Sequence, residues 1–428
     1  MSHRPLTLAG LAVAASALAQ GYDGPATFKA SELLPAAFRK GPHFQVREEV
    51  PTPGYFHDFH ITSDFGDVEA EGLSLLATRL EETDALTRLE EVSKTEVFLK
   101  AAGTSVLNVG KGVASVVTAP EETVKGIGKG LKRFGTNLGR KTKRTAESVT
   151  ADEKGSEPGK STEDKAADAG TAVASSALGV NAAMRRWAQK LQVDPYTSNP
   201  VLRKALEDVA KIDAAGGIAA KVAVPIPMVV GTTASVGGLV WGKDPEALLK
   251  LNEQRVAELG TDKKAAEAFF RNKAFSLGYQ TRFFAALHAV KAKGGGAYVD
   301  TAEEAANERQ VVFFTESAEL LQRFHAKDPV AAVLPDSRAL VAKTKDGRAV
   351  ALLALDYVRW SEANEKALKE MSERAKAELG ATSLELRLTG RASDRAKQGM
   401  KALGWSVVEG VPGSHSGPKA ARSASSRP

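Results

Sequence analysis

The sequence predicts an α+β fold, predominantly helical, in which a helical central domain precedes a small α/β domain with a mixed sheet. Three observations carry this reading. Apolar residues recur at helical spacing from Val173 to Lys327, and beyond Asp328 the period falls to two. Aromatics are sparse at 6% while Ala and Gly are plentiful, which favours closely packed helices over an all-β sandwich. A chain of 428 residues, 43% hydrophobic and 26% charged, is long enough for two or three domains that each bury a core.

Residues 1–19 read as a secretory leader: His3 and Arg4 form a basic start, Pro5 to Ala15 an apolar run, and Ala17-Leu18-Ala19 a small-x-small cleavage site. The mature chain is expected to begin at Gln20. The apolar run is shorter than the ~20 residues of a spanning helix, and Arg4 has no second Arg beside it to make a twin-arginine signal. Cysteine is absent, which excludes a lipidated N-terminal Cys, disulfides, thiol nucleophiles and thiolate metal sites. An exported chain that must stand on its core alone fits a bacterial source, with the general secretory route delivering it to the periplasm or the extracellular space.

Residues 20–54, rich in Gly and Pro, predict an extended arm. From 55 to 118 the pattern predicts a β-hairpin, with Phe59 and Ile61 then Val68 and Ala70 alternating around the Ser63–Gly66 turn, followed by helices through Leu73, Leu76, Leu80, Leu86 and Leu89. The acidic run Glu81, Glu82, Asp84, Glu90 and Glu91 is read as a solvated face, with folding back on the basic segment as the alternative.

Residues 119–144 are a basic amphipathic segment. Val124, Ile127, Leu131, Phe134 and Leu138 share one side of a helical wheel; Lys125, Lys129, Lys132, Arg133 and Arg140 take the other, with Lys141, Lys143 and Arg144 following. Between Glu121 and Arg144 eight Lys or Arg face two Glu, a surplus of six that equals the net charge of +6 for the whole chain. The basicity is therefore local and points to one anionic contact, such as a lipid leaflet, rather than to nucleic acid. Gly126, Gly128, Gly130, Gly135 and Gly139 each cost a helix about 1 kcal/mol relative to Ala, so the segment depends on whatever it lies against.

Residues 145–172, dominated by Glu, Asp, Lys, Ser, Gly and Ala, read as a disordered linker. In the helical domain of 173–327, Met184, Trp187 and Leu191 share a face, as do Leu248, Leu251, Val256 and Leu259. Phe270, Leu277 and Phe284, then Phe313, Leu320 and Phe324, form core stripes. The charge-free run Ala223–Trp241 carries Pro225, Pro227 and three Gly, and reads as a buried hairpin rather than a membrane span. In the α/β domain of 328–410, strands are expected at 331–334, 339–343 and 348–355, the last two joined by Asp346-Gly347. A helix capped by Ser361 and ended by Gly380, a strand through Leu384, Leu386 and Leu388, a helix through Ala396, Met400 and Leu403, and a strand from Trp405 to Val408 complete a right-handed crossover. The tail from 411 to 428 reads as disordered.

Motifs that carry chemistry are few in the sequence. Gly110-Lys111 lacks the Gly and Ser/Thr of a P-loop, and Gly126, Gly128 and Gly130 miss dinucleotide spacing. His57 and His60 flank Asp58, but residues three apart on a strand face opposite ways. No serine-hydrolase elbow is present. No catalytic residue, cofactor or metal is therefore expected, and the oligomeric state stays open. One place keeps promise, because ligands gather at the carboxyl ends of parallel strands: Thr389, Gly390, Arg391 and Ser393 offer hydroxyls, amides and a guanidinium to an anion, where Thr389 or Ser393 equally serves as a helix cap.

LEEVSKTEVFLKAAG from Leu89, TAPEETVKGIGKGLKRF from Thr118, DPYTSNPVL from Asp194 and DGRAVALLALDYVRW from Asp346 give the chain a pattern that resembles an uncharacterised family of exported proteobacterial proteins. The resemblance implies export and a shared architecture, and carries no activity or residue role. The function expected is that of a non-enzymatic cell-envelope protein acting through its basic segment. The alternatives are an enzyme or small-anion binder using the α/β domain, and an exported membrane-active effector.

Overall fold

The computed structural model describes residues 21–98, 179–216, 218–219, 221–222 and 234–413. The expected leader, the basic segment 119–144, the linker and residues 414–428 of the tail lie outside them. Residues 20–54 are not an extended arm where they are described. Strand β1 (Ala26–Lys29) pairs antiparallel with β4 (Glu49–Thr52), and between them come the short helices α1 (Ala30–Leu33) and α2 (Ala36–Arg39) and strands β2 (Lys40–Gly41) and β3 (Phe44–Val46). Few as its apolar residues are, Ala30, Leu34, Phe38, Val46 and Val50 are all buried, and burying them offsets the ordering of a segment whose composition alone suggests none.

The predicted hairpin is present as β5 (Asp58–Ser63) and β6 (Val68–Glu71), in an antiparallel sheet of order β2-β3-β5-β6. Phe59, Ile61 and Ala70 point inward at strand period. Ser63 Oγ closes the turn by donating to the Gly66 carbonyl at 2.7 Å, and Gly66 takes φ 109°. Helix α3 (Leu73–Ser93) follows. Its acidic residues are not all solvated: Glu82 is 3% exposed, because α3 is covered on more than one side. With α4 (residues 179–191) and α5 (Pro200–Gly216) it builds a core of Leu86, Leu89, Trp187, Leu191, Leu202 and Leu206.

The remaining central helices are α6 (Ala234–Gly242), α7 (Pro245–Glu258), α8 (Lys263–Arg271), α9 (Leu277–Val290), α10 (Gly295–Ala302) and α11 (Glu308–His325). Asp244, Asp262, Ser276 and Asn307 each cap the helix that follows them. No helix among the described residues is long and apolar enough to cross a membrane. Phe269, Phe275, Phe283, Phe284, Tyr298 and Phe314 form a chain of ring contacts with centroids about 4.4–6.0 Å apart, each ring burying area worth about 2–3 kcal/mol.

The last unit contains β7 (Val330–Val333), β8 (Leu340–Thr344), β9 (Arg348–Leu353), β10 (Tyr357–Val358), α12 (Glu362–Leu379), β11 (Ser383–Leu388), β12 (Arg391–Ala392), α13 (Asp394–Ala402) and β13 (Trp405–Val408). Its five-stranded sheet runs β13-β11-β9-β8-β7, with β9, β11 and β13 parallel and β7, β8 and β9 antiparallel. The period of two sorts its two faces. Leu340, Ala342, Val350 and Leu352 join the core of the N-terminal sheet and α9–α11, while Val341, Ala351, Leu353, Leu384 and Leu386 join α12 and α13. Asp346-Gly347 makes the β8–β9 turn with Gly347 at φ 96°, and Gly380 ends α12 at φ 61°. The fold is α+β and predominantly helical, and one hydrophobic core continues from the N-terminal sheet through the helices to the C-terminal sheet.

Candidate functional site

The eight basic positions Lys125, Lys129, Lys132, Arg133, Arg140, Lys141, Lys143 and Arg144 lie outside the described residues. At the second predicted site, Thr389–Ser393, the backbone has other work. The amides of Thr389, Gly390, Arg391 and Ser393 donate to the carbonyls of Leu353, Leu355, Asp356 and Val358 at 2.8–3.2 Å, and the Ala392 amide donates to Glu409. Thr389 Oγ1 donates to the Leu355 carbonyl at 2.9 Å, and Ser393 Oγ accepts the Ala396 amide at 2.9 Å as the cap of α13. No nest of amides is left for an anion, and the Arg391 side chain is exposed. Gly390 serves close approach rather than flexibility: a Cβ there would sit 1.9 Å from the Asp356 carbonyl oxygen.

His57 and His60 also part company. His57 is buried with Nδ1 at 2.7 Å from Thr52 Oγ1, whereas His60 faces Asp67 at 3.4 Å. Burial and the nearby Arg391 charge press the His57 imidazole down to about 4. Among the described residues no group of three His, Asp or Glu is placed to hold a metal ion.

The concavity assembled by tertiary structure lies close by. A cleft of about 740 Å³ opens at the carboxyl end of β9, between the 53–58 segment, the start of α11, the 334–339 loop and α12. Its floor is Leu353, Leu355, Leu386 and Met400, and α12 contributes Asn364, Ala367, Leu368, Met371 and Arg374 at helical spacing. Phe313, expected in a core stripe, is partly buried and packs against the core on both sides of the sheet while also lining this cleft. Tyr55 stands at the mouth, 41% exposed.

Two clamps shape the walls. On one side the Tyr55 carbonyl accepts the amides of Asp356 and Tyr357 at 3.1 and 3.0 Å, the Tyr55 hydroxyl donates to Asn364 Oδ1, and Arg359 donates to the Pro53 carbonyl at 2.8 Å. The Asp356 carboxylate answers by accepting the His57 amide at 3.0 Å and the Leu73 amide at 3.1 Å. Leu73 is the first residue of α3, whose N-cap Gly72 has no side chain to offer, so Asp356 caps that helix from a distant part of the chain. Burial pushes the Asp356 carboxyl up to about 7 against the pull of those two amides. On the other side Arg374 donates to the carbonyls of Pro335 and Asp336 at 2.8 and 2.9 Å while pairing with Glu378, which straps the 334–339 loop to α12. Asp336 holds φ 44° within this strap.

A second polar cluster lies inside the helical part. Arg79 pairs with Glu82 and Glu308, Arg282 forms a bidentate pair with Glu319 at 2.8 and 3.0 Å, and Thr197 and Asn199 both donate to Glu82. Asp194, pushed up to about 6 by burial, accepts the Tyr196 amide at 2.8 Å. The cavity beside it is about 50 Å³, on the scale of one or two waters. These groups satisfy one another and join α3, α9, α11 and the 194–199 loop.

No protein-family model, no characterised protein and no solved structure matches this chain. The cleft therefore has to be read from its own residues. Sequence reasoning missed Tyr55, Asp356 and Arg374. The signal for one of them was in view, since Asp356 is the only charge in a run otherwise apolar from Ala349 to Val358, at the end of a parallel strand.

Proposed function

We propose that this protein is a non-enzymatic binder of a mainly apolar small molecule, held in the cleft at the carboxyl end of β9. The observation that carries this reading is a cavity of about 740 Å³ with an aliphatic floor and a polar mouth, the size and lining of small-molecule sites generally. Its position at strand carboxyl ends agrees with where ligands gather in sheets of this kind. Polar groups of the walls and mouth are engaged in holding the cleft's shape, as Tyr55 with Asn364 and Ser337 with the Ala339 carbonyl are, which favours binding over catalysis. The test is fluorescence of the neutral apolar probe N-phenyl-1-naphthylamine. Enhancement by the wild-type chain, lost when Ala367 on the exposed lip is replaced by Trp (A367W) with the far-UV spectrum unchanged, supports the reading. Equal enhancement by both proteins, or none by wild type, overturns it.

The export and surface contact of residues 119–144 belong to the same proposal, supported by the local surplus of six cations. A cell-envelope protein that carries an apolar ligand gains from resting on a lipid leaflet, where each Lys or Arg contributes about 1 kcal/mol. Cosedimentation of the mature chain with anionic but not neutral vesicles is expected. Binding that survives Lys125, Lys129, Lys132 and Arg133 all changed to Gln refutes it.

A further inference from the structure

The charge around the cleft mouth has the opposite sign to the chain as a whole. Every guanidinium lining the cleft already has a carboxylate: Arg309 pairs with Glu71 at 3.0 Å, Arg338 with Glu304 at 3.1 Å and Arg374 with Glu378 at 2.7 Å. Asp58, Asp336 and Glu370 line the same cleft, and none of the three makes an ion pair with a described residue. Arg359 stands behind Tyr55, donating to the Pro53 carbonyl. Counting it, four guanidiniums meet six carboxylates in all, Asp58, Glu304, Asp336 and Glu370 in the lining and Glu71 and Glu378 as flanking partners, a surplus of two negative charges around an apolar pocket. Tyr55 and Phe56 add aromatic surface there, and the Phe56 ring already has the Arg309 guanidinium 5.9 Å from its centroid, the contact by which aromatic faces hold cations. Behind this rim the floor is aliphatic, and Met371 and Met400 let it adapt to a flexible chain.

From this juxtaposition we infer that the ligand class is a cationic amphiphile, an alkyl chain on the Leu353–Leu386 floor with an ammonium group at the Asp58, Asp336, Glu370 and Tyr55 rim. The inference rests on the cleft being a ligand site, and the experiment separates the two. Isothermal titration of the full mature chain with dodecyltrimethylammonium, dodecanol and dodecanoate below their micellar concentrations compares one chain with three head groups. The ammonium is expected to bind roughly fivefold tighter than the alcohol, as two exposed charge contacts imply, and the carboxylate weakest. The preference should shrink at high salt and disappear in the doubly substituted D336N/E370Q protein, whose two sites are exposed and remote from the core. Equal affinity for all three, or preference for the carboxylate, overturns the assignment while leaving the cleft a ligand site. Absence of binding by all three defeats both readings. Preference for the ammonium that persists unchanged in D336N/E370Q also overturns it, because the rim would not be its source.

Discussion

Replacing Asp356 by Asn tests the clamp behind the cleft. The wild-type carboxyl rises on folding from 3.8 to about 7 because it is buried. In the pH range between those values the folded chain binds a proton that the unfolded chain does not, so stability is greatest at low pH and declines as pH rises through 7. At about 1.4 kcal/mol per pH unit, this amounts to about 4 kcal/mol lost between pH 4 and 7.5. His57, whose amide donates to the Asp356 carboxylate, acts in reverse. Its imidazole falls from 6.5 to about 4, so the unfolded chain binds the extra proton, and stability rises by about 3 kcal/mol over that interval. The two opposed slopes largely cancel between pH 4 and 6.5. Asp356→Asn removes one of them and leaves one amide of the clamp less well satisfied, at about 1 kcal/mol. Urea denaturation of both proteins at half-unit steps from pH 4 to 7.5 should show a wild-type advantage of about 1 kcal/mol at low pH that shrinks, reverses and becomes a deficit of about 3 kcal/mol by pH 7.5. A difference independent of pH, or one that grows with pH, refutes the reasoning. The latter result would mean that the two amide bonds and the α3 dipole outweigh burial and hold the carboxylate ionised.

The other predictions concern packing and buried charge. Gly390→Ala places a methyl group 1.9 Å from the Asp356 carbonyl oxygen; because that atom is backbone and cannot swing aside, the variant should lose about 3 kcal/mol, seen as a lowered midpoint in thermal denaturation. Arg282→Met takes the bidentate partner from buried Glu319 and should cost about 3 kcal/mol, with much of it regained in the Arg282→Met, Glu319→Leu double variant, since a well-packed apolar pair replaces the ionic one. Chemical denaturation of the four proteins of that cycle is the measurement.

Where order is local, the sequence determined it. Alternation of Val341, Ala349, Ala351 and Leu353 with Ala342, Val350 and Leu352 marks β8 and β9, and Asp346-Gly347 marks the turn between them, since a turn needing positive φ selects Gly wherever it occurs. The helices capped by Ser361 and Ser393 were legible for the same reason, because a hydroxyl caps amides only three residues away. Tertiary structure decided everything that depends on which element covers which. Asp356 reaches amides 283 and 299 residues away in the chain, and no periodicity reports a partner at that distance. The arm expected at 20–54 folds over residues 26–52 because its few apolar residues meet a core supplied by other segments, and Glu82 is buried because α3 is enclosed. At Thr389–Ser393 the sequence showed polar atoms at a strand end, where ligands gather. Only the folded chain showed that those atoms hold the backbone together and that the open space lies beside them, between the 53–58 segment and α12. A residue's type limits the contacts it can make; the competition among neighbours for its hydrogen bonds settles which one it does make.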